Sequence, residues 1–234
     1  MNQKDHTSKQ YDAELEALRD EVMQMGGLVE YQVTAAVDAL IRGDEDSLSV
    51  IIEEDHRVNG MEVRIDQLCS HLIARRQPAA SDLRMVMAIS KIVTDLERIG
   101  DEASKIGRLG KTLSHSLKGP RARHLRDISQ GALSMLRDVL DAFTRLDTNK
   151  AAFIVREDKA IDERFRNILR HLITYMLEDP RTITNAVDLV FIAKALERIG
   201  DHAKNIAECI IYIVRGKDVR YISVDQLEMV IKGD

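Results

Sequence analysis

The sequence predicts an all-α protein: two tandem three-helix bundles related by internal duplication, six long helices in all. Three observations predict it. The hexapeptide Leu-Glu-Arg-Ile-Gly-Asp occurs twice, at Leu96–Asp101 and Leu196–Asp201, 100 residues apart in a chain of 234, and duplication at a fixed period sets architecture. Charged residues make up 31% and aromatics 4%, with no Trp and only 3 Pro and 12 Gly, which is the profile of long uninterrupted helices. Apolar residues then recur at alternating steps of three and four, the spacing of a helix seam. The first bundle is read as residues 1–118, the second as 119–216, and a tail as 217–234.

The elements follow in order. Thr7 and Gln10 read as a capping box before the first helix, whose stripe is Leu15, Leu18, Val22, Met25 and Val29. Gly43 can end that helix and Asp44 can cap the second. The second helix has the seam Ile51, Asp55, Val58, Glu62, Ile65, Cys69, Leu72 and stops before Pro78. Asp82 reads as the cap of the third, whose seam is Ile89, Ile92, Leu96, Ile99, Ala103, Ile106. Gly119-Pro120 ends it and opens the fourth, with Leu133, Leu136, Leu140 and Phe143 inward. The fifth carries Ile154, Asp158, Ile161, Phe165, Ile168, Leu172, Tyr175 and stops at Pro180. Thr184 reads as the cap of the sixth, which runs Leu189, Ile192, Leu196, Ile199, Ala203, Ile206, Ile210, Ile213. The tail holds one short apolar pattern, Leu227, Val230 and Ile231, compatible with a helix, a dimer contact or a free end.

The duplication extends beyond the hexapeptide. Upstream of the Pro-containing loops the offset becomes 103 and pairs Asp38 with Asp141, Arg42 with Arg145, Asp44 with Asp147, Glu54 with Glu157 and Asp55 with Asp158. Loops absorb such a change in length.

Each hexapeptide presents two carboxylates four residues apart, Glu97/Asp101 and Glu197/Asp201, on one helix face. Both pairs lie off the seam, so the ordinary reading is a solvated face with Arg98–Asp101 and Arg198–Asp201 ion pairs worth a few tenths of a kcal/mol. The second helix of each half argues for more. Asp55 and Asp158 stand where the seam calls for an apolar residue, and a half-buried carboxylate is costly unless paired. Asp158 and Asp162 form a further pair, whereas the first half has Asp55 and Asn59 at the same spacing. Two carboxylates ~4 Å apart repel by roughly 4 kcal/mol at an effective dielectric of ~20. Such a group must protonate, recruit Arg or Lys, or bind a cation. All-oxygen donors favour hard ions, including Mg, Ca, Mn and iron. With four carboxylates, the second half is expected to be the better cation site. His56 and His202 adjoin these positions and read as surface residues.

A net charge of −5 gives no global field for nucleic acid. The basic run Arg121–Arg126 is short, holds two apolar residues and reads as a solvated helix start. No apolar stretch approaches the ~18–20 residues that span a bilayer, so no membrane insertion is expected, and Met1–Gln10 is polar, without a secretory segment. Cys69 and Cys209 sit inside helical patterns and imply no disulfide framework, which fits the cytoplasm. No Walker lysine or nucleophile elbow is present. A carboxylate-bridged di-metal oxidase or iron-storage bundle needs Glu-x-x-His on two helices; only Glu53/His56 has that spacing.

The two hexapeptides, the extension of the second from Ala195 to Glu208, the opening Ser8–Leu15 and the later Gly216–Arg220 together resemble the PhoU family over nearly the whole chain. The resemblance implies two tandem three-helix bundles with divalent or iron ions on the bundle surface at the acidic motifs. By position these are Glu97, Asp101, Asp55, Asn59, Glu197, Asp201, Asp158 and Asp162, with Asn59 departing from a full carboxylate pair. It also implies a homodimer and no catalysis. The implied role is a regulator of phosphate homeostasis that restrains the phosphate-starvation (Pho) regulon and modulates uptake. It would act as a cytoplasmic adaptor between the ATPase of the Pst phosphate transporter and the PhoR sensor kinase, which activates PhoB.

Overall fold

The computed structural model describes residues 3–76, 78–113, 117 and 119–232. Six long helices make up the body: α1 (Gln3–Arg42), α2 (Glu45–Arg76), α3 (Ala80–Thr112), α4 (Pro120–Arg145), α5 (Thr148–Glu178) and α6 (Ile183–Arg215). A short 3-10 turn (Pro180–Thr182) precedes α6, a seventh helix, α7 (Val224–Lys232), follows it, and the described residues hold no strand.

The seams fall where periodicity places them. Ile89, Ile92, Leu96, Ile99, Ala103 and Ile106 are wholly buried, as are Leu189, Ile192, Leu196, Ile199, Ala203 and Ile206. At about 1.5–3 kcal/mol for each large side chain, this burial far outweighs any surface ion pair. Leu18, Val22, Met25 and Val29 are buried in α1, while Leu15 is half-buried.

The first turn of each half is the same device with different residues. Gly43 N–H donates to Leu40 O and Asp44 N–H to Ala39 O; Leu146 and Asp147 repeat both bonds to Phe143 O and Ala142 O. Both residues closing the turn are left-handed, Gly43 at φ 71 and Leu146 at φ 51. Glycine adopts this conformation freely, but a leucine is strained there. Asp44 Oδ1 then accepts from Ser47 N–H at 3.1 Å, and Asp147 Oδ1 from Asn149 and Lys150 N–H at 2.9 and 3.0 Å.

Other expected boundaries move. α1 is continuous from Gln3, so Thr7 and Gln10 lie inside it and not at its start. α3 begins after Ala79, and α6 after Thr182, neither with a side-chain cap; Asp82 and Thr184 fall within their first turns. Asp82 there still favours the positive helix end. α3 ends at Thr112, short of Gly119, whereas Pro120 does open α4 after Gly119 at φ 69.

α3 and α6 pack along their lengths and run antiparallel: Asp95 lies opposite His202 and Asn205, Glu102 opposite Arg198, and Thr112 opposite Asp188. α1 rests on α2 and α3, α4 on α5 and α6, and α1 meets α4. The halves are thus related by an approximate two-fold passing between Gly100 and Gly200, and one continuous core runs through both. No helix among the described residues is long and apolar enough to cross a membrane.

Candidate functional site: the paired acidic motifs

The antiparallel crossing of α3 and α6 brings the two hexapeptides together at the centre of the molecule. Their glycines explain themselves there. A Cβ on Gly100 would meet Val58 Cγ1 at 3.3 Å, and one on Gly200 would meet Ile161 Cγ2 at 3.3 Å. Each glycine lets the second helix of its own half come close enough to bring Asp55/Asn59 or Asp158/Asp162 beside the motif. Sequence reasoning assigned the Leu, Ile, Glu and Asp of the motif but missed this role.

The arginines diverge. Arg98 stays local, 3.5 Å from Glu97 and 3.2 Å from Asp101. Arg198 does not meet Asp201 as expected; it crosses the two-fold to Glu102 at 2.8 Å, a carboxylate only 5% exposed that also meets Lys105 at 3.3 Å. The counterpart of Glu102 in the second half is His202, which offers Arg98 no anion. His202 Nδ1 instead lies 2.8 Å from Asp95, which also accepts from Asn205 at 3.0 Å. His202 is therefore a residue of the interface between the halves, while His56 is exposed.

Among the described residues Asp55 in the first acidic group makes no ion pair. Asp55 Oδ1 and Asn59 Oδ1 are buried with no hydrogen-bond partner, and Gln32 Oε1, from α1, is a third such oxygen in this half. Burial, then the nearby Asp101 charge, raises the Asp55 pKa. Burial, then Asp101, raises that of Glu97 against the opposing pull of Arg98.

The second group carries its own cations. Lys204 Nζ donates to Asp158 at 2.8 Å, and Lys194 Nζ meets Glu197 at 2.5 Å. Arg166 is 3.6 Å from Asp162. Glu197 is 7% exposed, so it is not on the solvated face of the ordinary reading, while Asp158, also 7% exposed, occupies its seam position as expected. Among the described residues Asp201 makes no ion pair, and burial together with Glu197 and Asp158 pushes its pKa up to about 6 against the pull of Lys194. Burial is the largest single effect and opposes the charge of Lys204, but the bond to Asp158 and the charges of Asp158, Glu208 and Asp201 together outweigh it and raise the ammonium pKa.

Among the described residues no three His, Cys, Asp or Glu side chains converge on a metal position. The first half nonetheless has the donor chemistry for a hard cation: unpartnered buried oxygens on Asp55 and Asn59, the carboxylate of Glu97, whose charge burial disfavours, and that of Asp101. In the second half the lysines already supply the positive charge. The expected ranking of the two sites thus rests on a count of carboxylates that takes no account of Lys194 and Lys204.

The tail, a segment of open fate in the sequence, docks as α7. Leu227 and Ile231 are buried, Arg156 reaches Glu228 at 3.1 Å, and Arg215 donates to Ile231 O. A cleft of about 640 Å³ between this tail, α5 and α6 includes Asp158, Asp162, Lys204 and Arg220. The spacing of Leu227 and Ile231 was the signal for it.

The PhoU domain model matches this chain twice, at residues 22–109 and 125–210. The phosphate-specific transport system accessory protein PhoU of Edwardsiella tarda is 48% identical over 99% of this chain and 95% of its own. The protein of that name from Escherichia coli (strain K12) is 46% identical over 100% of this chain and 97% of its own. A crystal structure of PhoU from Pseudomonas aeruginosa superposes with a TM-score of 0.85 at 47% identity, covering 88% of this chain and 100% of that one. The phosphate transport system regulatory protein PhoU of Streptococcus pneumoniae superposes with a TM-score of 0.84 at 31% identity, covering 90% and 99%. Two matched domains on the two bundles, and whole-length relatives at this identity, show that the chain belongs to the PhoU family.

Proposed function

We propose that this protein is a non-enzymatic cytoplasmic adaptor that restrains the phosphate-starvation regulon when phosphate is ample. In this reading it links the ATPase of the phosphate transporter to the PhoR sensor kinase and modulates uptake, and it works as a homodimer. The observation that carries the reading is whole-length similarity, through both bundles, to accessory proteins of the phosphate-specific transport system. An adaptor acts by binding one state of its partner better than another. A rigid double bundle with inequivalent halves has two different faces with which to do so. Deleting the gene should switch on starvation genes in phosphate-rich medium, read as reporter activity. Repression that persists in a clean deletion would sink the reading.

The acidic motifs are proposed to take divalent or iron ions, with Glu97, Asp101, Asp55 and Asn59 as the readier set. Glu197, Asp201, Asp158 and Asp162 would load only by displacing Lys194 and Lys204 from their carboxylates. Elemental analysis after dialysis against Mn should show the larger loss for Asp55→Ala. A larger loss for Asp158→Ala would reverse the ranking.

A further inference from the structure

The tail after α6 is held differently from the six helices of the body. α7 has nine residues, too few for a helix to persist in water by itself. Its start is nevertheless fully capped: Ser223 N–H donates to Gln226 Oε1 at 2.9 Å, and Gln226 N–H to Ser223 Oγ at 3.3 Å, a reciprocal capping box. Its fastening to the body is small. Val219, Leu227 and Ile231 are buried, Arg156 meets Glu228 with both side chains exposed, and Arg215 donates to Ile231 O. An exposed ion pair of that kind adds little. In the connecting loop, Arg220 turns back on Asp218 at 2.6 Å, so this pair ties the loop to itself and not to the body.

Two backbone positions make that loop a hinge. Gly216 ends α6 at φ 69, where glycine is at ease. Tyr221 stands at φ 138, a conformation that residues with a side chain rarely adopt. Its side chain is fully exposed, so burial does not repay the strain of the docked path.

The duplication shows what docking does. Among the described elements α2 meets only α1 and α3, whereas α5 carries α7 besides its bundle neighbours. Asp55 and Arg108 of the first half occupy the register of Asp158 and Glu208. Asp55 is half-buried and Arg108 exposed, but Asp158 is only 7% and Glu208 only 9% exposed. The tail accounts for the difference. Val219, Ile222 and Leu227 line the same cleft of about 640 Å³ as Asp158, Lys204 and Glu208.

We propose that residues 217–232 form a strap that swings open about Gly216 and Tyr221 while the six-helix body stays folded, and that it governs solute access to Asp158, Lys204 and Glu208. Burial of Leu227 and Ile231 favours docking; the strain at Tyr221 and the burial of two carboxylates oppose it. The second acidic motif is thereby gated by the chain's own end, a device that goes beyond the adaptor reading and requires neither a bound cation nor a partner.

The test uses the full-length protein, with amide hydrogen exchange and carbodiimide-driven coupling of glycine ethyl ester to carboxylates, both read by mass spectrometry. Amides of α7 should exchange on the order of a hundredfold faster than those at the centre of α6. Leu227→Ser with Ile231→Ser should raise labelling of Glu208 by on the order of tenfold, with Asp55 as the unstrapped control. Tyr221→Gly should slow both α7 exchange and Glu208 labelling severalfold. Helicity and melting temperature verify the body; should the double variant unfold, Arg156→Glu, which sets like charges at Glu228, carries the test. Protection of α7 equal to that of central α6 overturns the proposal, because the tail then opens only with the whole molecule. So does a double variant in which Glu208 labels no faster, or in which Asp55 gains equally. Exchange of α7 that is unchanged or faster in Tyr221→Gly overturns it too.

Discussion

The two halves share a backbone and a hexapeptide but solve the same electrostatic problem differently. In the second half Lys204 and Lys194 sit on Asp158 and Glu197, and the group is closed by the chain's own charges. In the first half Asp55 makes no ion pair among the described residues and feels only the charges of Arg108 and His56, Asn59 replaces a carboxylate, and an oxygen of each is buried without a partner. The difference teaches that a motif does not carry its environment with it. Identical Leu-Glu-Arg-Ile-Gly-Asp segments hold an arginine at home in one copy and send it across the molecule in the other, because Glu102 has His202 as its counterpart.

The largest test of this comparison removes a lysine. Lys204→Met should cost about 3 kcal/mol, because Asp158 stays buried without its partner. Asp55→Asn in the first half should instead stabilise by about 1 kcal/mol at neutral pH, since it removes an unpartnered charge facing Asp101. Urea unfolding of both variants checks this, and changes of the same sign would break the contrast.

Asp201 gives the next effect. Its folded pKa of about 6 exceeds the ordinary 3.8, so the folded protein holds this proton more tightly than the unfolded chain. The group favours folding fully below about pH 4, and that contribution is lost as pH rises to about 6. Asp201→Asn should therefore stabilise the protein at pH 7, by about 1 kcal/mol once partial exposure is allowed for. The gain should disappear at pH 4, and a gain independent of pH would assign it to packing instead.

The smallest test concerns the first turn of each half. Gly43→Leu should cost about 1 kcal/mol by forcing a side chain into the left-handed conformation. Leu146→Gly relieves that strain at the loss of a half-buried contact and should change stability by less than about 0.5 kcal/mol. Thermal unfolding of the pair measures the asymmetry directly.

What the sequence made legible follows from range. Seams, the αL turn at Gly43 with its Asp44 cap, and the stops at Pro78 and Pro180 depend on residues a few positions apart, and spacing exposes them. Thr7, Asp82 and Thr184 misled because a capping residue type says nothing when the helix continues past it. The site was only half legible. Carboxylate pairs at i, i+4 were visible, but the partners that decide their charge state are distant in the chain: Lys204 on Asp158, Arg198 on Glu102, His202 on Asp95. Those pairings exist only once α3 and α6 have crossed. The glycines of the motif were likewise silent until α2 and α5 were seen against them.

The crossing of α3 and α6 also bears on how such a molecule can change over time. Two separate chains meeting about a two-fold axis must alter both sides with every substitution, since one gene encodes both. Here the axis lies within a single chain, so each substitution falls on one side only. Glu102 could stand opposite a mate that is histidine, and Asn59 opposite a mate that is aspartate, Asp162. Fusion released the two copies from obligatory sameness while the shared core kept them in register.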